Sequence, residues 1–257
     1  PVEGGPLVIR EFATDGTPGV VMNVPSTGPN AVVNRFSTVL GAALTLTPTG
    51  DKLVFSGFTT TAPTGTALMS TSAAAVPRAI GTVDAIGNFD RPFTTSTYFG
   101  SGTIFGAATD GVHYWAAGSN SGICYLGPGP ADVINATNTA NNSLSFTDQG
   151  LLTAANGVHR VGSGSPVVPA ALEQIFASSG VVDMEMSPDG TVCYAAHFSF
   201  IRKWVLSGAS WTNVYTFNAP GWLVHIAVDF TTPQPVIYGV HNLPCKLEKW
   251  VDAVDHW

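Results

Sequence analysis

Three histidines carry the residue chemistry of this chain: His197 and His241, three places beyond the large residues Tyr194 and Tyr238 in two runs of matching pattern, and His225 between them. A neutral imidazole offers one donor and one acceptor near physiological pH, which suits metal binding or proton transfer. Carboxylates that could join them are Asp183, Glu185 and Asp229. Strand alternation puts Asp183 and Glu185 on one face. Trp222 sits in a connection beside them, where an exposed ring could stack on a sugar or an apolar ligand, and Asn156 and Asn242 add amides at equivalent loop positions. The competing reading is structural: the rings cap loops by bonding to backbone, and the tryptophans pack between sheets.

Other chemistries lack their residues. There is no Gly-x-Ser-x-Gly elbow, no His-Glu-x-x-His and no phosphate-cradling glycine loop, so no catalytic residue, metal ligand set or cofactor is assigned. Net charge is −7 and the ten basic residues are mostly scattered singly, which excludes a nucleic-acid surface. No apolar run reaches membrane-spanning length. Cys124, Cys193 and Cys245 are read as buried thiols acting as small apolar side chains. Low charge, Thr/Ser richness and sequons at Asn135 and Asn141 point to a secreted glycoprotein, and a chain starting at Pro1 is read as having lost a leader.

Positioning these residues requires many short strands. Charged residues are 11% while Gly and Pro number 28 and 18, a balance that favours turns and strands over helices. In residues 181–206 a strand meets the turn Ser187-Pro188-Asp189-Gly190, a second strand follows at 191–196, and a third at 201–206. Asp-Gly between apolar runs is a strong hairpin signal. Inner turns recur at Gly50, Gly111, Gly150, Gly190 and near Pro233, the last four spaced by 39, 40 and 43 residues. A period near 40 with four strands per repeat predicts an all-β single-domain β-propeller over 1–257. With the strands of each blade lettered A to D from the channel outward, the chain reads C-D, four A-B-C-D sets, then A-B-C. Six outer pairs against five inner hairpins favour six blades, with five as the alternative and the first and last blades incomplete. Residues 25–40 read as a polar connection.

The runs SPDGTVCYAAH and FSFIRKWVLSG resemble the hairpin and following strand of six-bladed propellers of the NHL, gluconolactonase and strictosidine-synthase-like group. That resemblance covers the chain as architecture. It implies a lactonase- or lyase-like activity, with a calcium site built from a Glu, two Asn and an Asp. Asn156 and Asn242 fit such loops, but no Glu opens the first blade, because Glu3 and Glu11 precede any inner strand. The leading expectation is therefore an extracellular ligand-binding or scaffold propeller, taking a small molecule or carbohydrate on the loop face at the channel mouth. A lactonase- or lyase-like enzyme using a metal or the histidines is the alternative. The odd strand count adds a further expectation, that a second chain completes the ring or that the N-terminal pair closes onto residues 223–240.

Overall fold

The computed structural model describes residues 4–35, 43–137, 143–242 and 246–253, so Asn141 and Cys245 lie outside the described residues. The chain opens with β1 (Gly4–Pro6), β2 (Val8–Phe12), β3 (Pro18–Asn23) and β4 (Val33–Arg35), and continues with β5 (Thr45–Leu46), β6 (Lys52–Phe58), β7 (Arg78–Asp84) and β8 (Phe89–Thr95). Blade 1 is β6-β7-β8, whose inner edge is shared by β4 and β5 in place of one strand. Blade 2 runs β9 (Ile104–Thr109), β10 (Tyr114–Gly118), β11 (Gly122–Gly127), β12 (Asp132–Asn135), and blade 3 runs β13 (Ser143–Thr147), β14 (Gly150–Ala154), β15 (Gly157–Val161), β16 (Leu172–Ala177). Blade 4 is β17 (Asp183–Met186), β18 (Val192–His197), β19 (Phe200–Ser207), β20 (Ser210–Asn218). Blade 5 has three strands, β21 (Leu223–Asp229), β22 (Val236–His241) and β23 (Lys246–Val251).

The fold is the expected all-β propeller, with five blades. The favoured count of six is not realised, because β2 and β3 form a separate two-stranded sheet. Nor does that pair close onto β21–β22: β22 spends its outer edge on β23, from Val236↔Val251 to His241↔Lys246. The pair packs instead on blade 1, where Ile9 and Val24 meet Phe55, Ala79 and Val83. Residues 25–40 also hold more than a connection, since β4 pairs with β1 and meets β6 at Val33↔Phe58. Two buried valines, Val32 and Val33, are too short a pattern to stand out in that polar stretch.

Period-2 alternation sends successive residues of a strand into opposite seams between blades. On β10, Ala116 faces the blade 1 core with Val54 and Phe58, whereas Trp115 and Ala117 face Leu144 and Leu151 of blade 3. On β18, Cys193 and Ala195 join Leu152 and Met184 towards blade 3, while Tyr194 and Ala196 join Leu223 and Ile237 towards blade 5. Both described cysteines, Cys124 and Cys193, are free and buried, and burial raises their thiols well above the ordinary range. The Ser187–Gly190 turn forms as its sequence requires: Gly190 takes φ +72°, and Ser187 Oγ accepts the N–H of Val192 at 2.9 Å.

Two buried cations tie loops and blades together. Arg78, fully buried, donates to the carbonyls of Thr71 at 2.9 Å and Gly102 at 3.3 Å, pinning the long loop after β6 to blades 1 and 2. Lys203 Nζ of blade 4 meets Asp252 Oδ2 beyond β23 at 2.6 Å, both side chains fully buried, and the Tyr194 hydroxyl donates to the same carboxylate at 2.5 Å. Removing one member of such a pair strands the other charge. Lys203→Met is expected to cost about 3–5 kcal/mol in urea denaturation, and Lys203→Met with Asp252→Leu to recover most of that loss. A single variant as stable as the parent would remove the pair from any role in joining blades 4 and 5.

Candidate functional site

The D-A and B-C connections of the blades gather on one face, and the candidate residues lie along it from blade 3 to blade 5. His197 and His241 are the last residues of β18 and β22. Both are buried, at 3% and 1% exposure. His197 Nε2 lies 3.1 Å from Ser178 Oγ, which in turn accepts from Arg202 Nη1 at 3.3 Å, and its ring stacks on Phe200 with centroids 4.3 Å apart. Burial, with the nearby Arg202 charge, lowers its pKa to about 4, against weaker opposing hydrogen bonds to the backbone of Ser179 and Gly180. His241 Nε2 sits 2.9 Å from Glu248 Oε2.

Loop backbones join these strand ends. Asn156 holds φ +53° in the turn between β14 and β15, and its carbonyl faces the N–H of Ser178 at 3.4 Å. It contributes a left-handed backbone position, which asparagine tolerates better than most residues. The carbonyl of Phe198 accepts the N–H of Leu223 at 2.8 Å, and that of Trp222 accepts the N–H of Asn242 at 2.8 Å. Leu223 pairs with His241. Phe198 and Trp222 themselves point outwards, 40% and 53% exposed, with ring centroids 5.8 Å apart. The structure thus gathers Trp222, Asn242, His241 and His197 around the blade 4–5 loops, with Phe198 a contact residue that the sequence pattern did not single out.

His225 lies deeper on β21, its Nδ1 3.4 Å from Asp183 Oδ2. Asp183 is committed to the frame: its two oxygens accept the N–H groups of Met184 at 2.9 Å and of Ile226, across the seam, at 3.0 Å. Asp229 closes a turn by accepting from Thr231. Glu185 faces the channel, in a cavity of about 250 Å³ that it shares with Thr45, Thr47, Ser145, Phe146 and Asp148. Burial, reinforced by Asp183, pushes its carboxyl up to about 8.

Asn135, the described sequon residue, uses its side-chain amide to donate to the carbonyl of Ala170 at 2.8 Å. No described helix is long and apolar enough to cross a membrane.

No protein-family model matches the chain, and no curated protein matches it. Among solved structures, the chain is similar to one described as the crystal structure of the mitotic checkpoint complex, with a TM-score of 0.53 and 10% identity over 95% of this chain and 70% of that one. At that identity the likeness is one of fold, and it agrees with the propeller arrangement of the sheets.

Glu185 and His197 set opposite pH responses. The folded state holds Glu185 protonated up to about pH 8 while the unfolded chain releases the proton near its ordinary pKa of 4.5, so stability from this group falls as pH rises between those values. His197 stays neutral in the fold down to about pH 4 while the unfolded chain protonates near 6.5, so its contribution is lost as pH falls through that window. The two oppose each other below pH 6.5, leaving Glu185 alone above it. The parent should lose about 2 kcal/mol between pH 6.5 and 8, and Glu185→Gln should be flat there in denaturant titrations. An equal slope in both proteins would contradict the assignment.

Proposed function

We propose that this chain is an extracellular binding propeller whose ligand surface is the loop face of blades 4 and 5, taking a small molecule or a carbohydrate. One observation carries the reading. Trp222 and Phe198 stay exposed and mutually packed while their carbonyls are fixed by Asn242 and Leu223, so an apolar platform is held out on backbone that does not have to reorganise. Aromatic rings in that setting bind the C–H face of a sugar or an apolar ring. His197 and His241 lie beneath it as supports, held by Ser178 and Glu248, and so serve position more than contact. Low charge and the Thr/Ser-rich connections support the extracellular placement.

A lactonase- or lyase-like activity has one observation in its favour, the channel carboxyl of Glu185, protonated at neutral pH beside Asp183 and thus suited to general-acid work. Hydrolysis of a simple δ-lactone that is lost in Glu185→Gln would move the assignment to this second reading.

For the binding reading, the full chain is applied to an array of immobilised oligosaccharides and apolar small molecules. Trp222→Ala is expected to weaken the strongest hit by at least about tenfold without lowering thermal stability, since the ring is half exposed. Undiminished binding by this variant, or no hit on the array, would count against the loop-face site.

A further inference from the structure

The opposite face of the ring, where the A-B and C-D turns lie, carries a second constructed group of side chains. In the turn between β9 and β10, Asp110 Oδ1 accepts the N–H groups of Val112 at 2.8 Å and His113 at 2.6 Å. Its other oxygen takes the His113 ring at Nδ1, 2.8 Å away, and the hydroxyl of Ser165 from the next blade at 2.5 Å. Burial works against the charged carboxylate, but these hydrogen bonds outweigh it and hold its pKa at about 2. With Nδ1–H given to an ionised carboxylate, the lone pair of the imidazole sits on Nε2. The Trp115 and Tyr125 rings flank this imidazole at 5.9 Å each, and Trp115 Nε1 donates to the carbonyl of Pro166 at 2.7 Å, fixing the loop that supplies Ser165.

The His113 side chain is 32% exposed and opens on a cavity of about 450 Å³, lined also by Tyr125, Pro128, Pro130, Asp132 and Val167. That volume lies within the range of small-molecule sites. Its chemistry is unequal: hydrocarbon walls from prolines and valine, an acceptor at His113 Nε2, and the Asp132 carboxylate, of which Oδ1 accepts the N–H of Val133. The Tyr125 hydroxyl is already given to the carbonyl of Pro128. Among the described residues no group of three or more metal-ligating side chains forms, so the acceptors match hydrogen bonding better than metal ligation.

We infer that this turn-face cavity binds a pyranose unit of a saccharide, its C–H face on the proline and valine walls and its hydroxyls donating to His113 Nε2 and Asp132. A saccharide brings several neutral donors on a carbon ring, which is what two acceptors among hydrocarbon require. A simple amine would use Asp132 and leave the imidazole idle. The site is separate from the loop face of Trp222, and Asp110 and Ser165 act on it as positioning residues.

The test follows the histidine side-chain nitrogens of the full chain by NMR during titration with the methyl pyranosides of glucose, galactose and mannose, with affinity read by ligand saturation transfer. The free protein should show His113 protonated on Nδ1, and Asp110→Asn should disturb that tautomer. One sugar should shift His113 Nε2 saturably. His113→Phe, which keeps a ring and removes the acceptor, should weaken binding by at least about tenfold, and Trp222→Ala should leave it unchanged. No saturable shift with any of the three sugars, undiminished affinity in His113→Phe, or a larger response to benzylamine than to the sugars would overturn the inference. Failure of the Trp222 surface alone leaves these readouts unaffected, so the two sites are judged separately.

Discussion

Every blade between two others must bury both faces of its sheet, and the rest of the molecule follows from that constraint. A strand buried on both sides can carry few charges, which accounts for a chain with 11% charged residues and for small residues beside large ones, as in Trp115-Ala116-Ala117 and Tyr194-Ala195-Ala196. Each large apolar side chain so buried contributes roughly 1.5–3 kcal/mol, and four successive seams repeat the arrangement. Where the repetition stops, apolar surface shows. Val240, Leu247 and Val251 of blade 5 are 44–47% exposed, as are Val20 and Val21 of the N-terminal pair at 60% and 45%. Among the described strands, the outer edge of β23 and both outward edges of the β2–β3 pair carry no further partner. Exposed strand edges of this kind invite pairing with other chains.

The same constraint decides where function can sit. The charged groups buried between blades and loops are paired: Lys203 and Tyr194 both meet Asp252, and Arg78 donates to loop carbonyls. Glu185 sits at the channel, and the other candidate groups lie on the two faces made of connections. The histidines at the ends of β18 and β22 are buried, whereas the Phe198–Trp222 pair meets solvent. Across the ring, the Asp110–His113 turn repeats the logic with a ring that stays partly exposed.

The architecture was readable because propeller grammar is local. Turn residues, alternation and a period near 40 lie within single repeats, so the hairpins around Gly111, Gly150 and Gly190 form as their sequences indicate. Blade count was harder, since whether residues 8–23 complete a blade depends on contacts more than 200 residues distant, and Lys249 reaching the carbonyl of Thr14 is the sort of contact no local pattern contains. The site divided along the same line. The positions of His197 and His241 at strand ends were legible from the aligned hairpins. Their burial was not, because Ser178 comes from a neighbouring connection and Glu248 from a neighbouring strand. The turn Asp110-Gly111-Val112-His113 was visible as a turn, but its chemistry depends on Ser165, which lies 55 residues away in sequence.

Amide hydrogen exchange on the intact chain tests the two-face constraint most directly, because protection tracks burial and cooperative opening element by element. The slowest exchange is expected in the middle strands flanked on both faces, β10, β14 and β18, and much faster exchange in β2–β3 and β23, whose sheets lack a neighbour on one side. Protection in residues 8–23 and 246–251 equal to that of residues 192–197 would contradict it, showing a ring closed through a sixth seam.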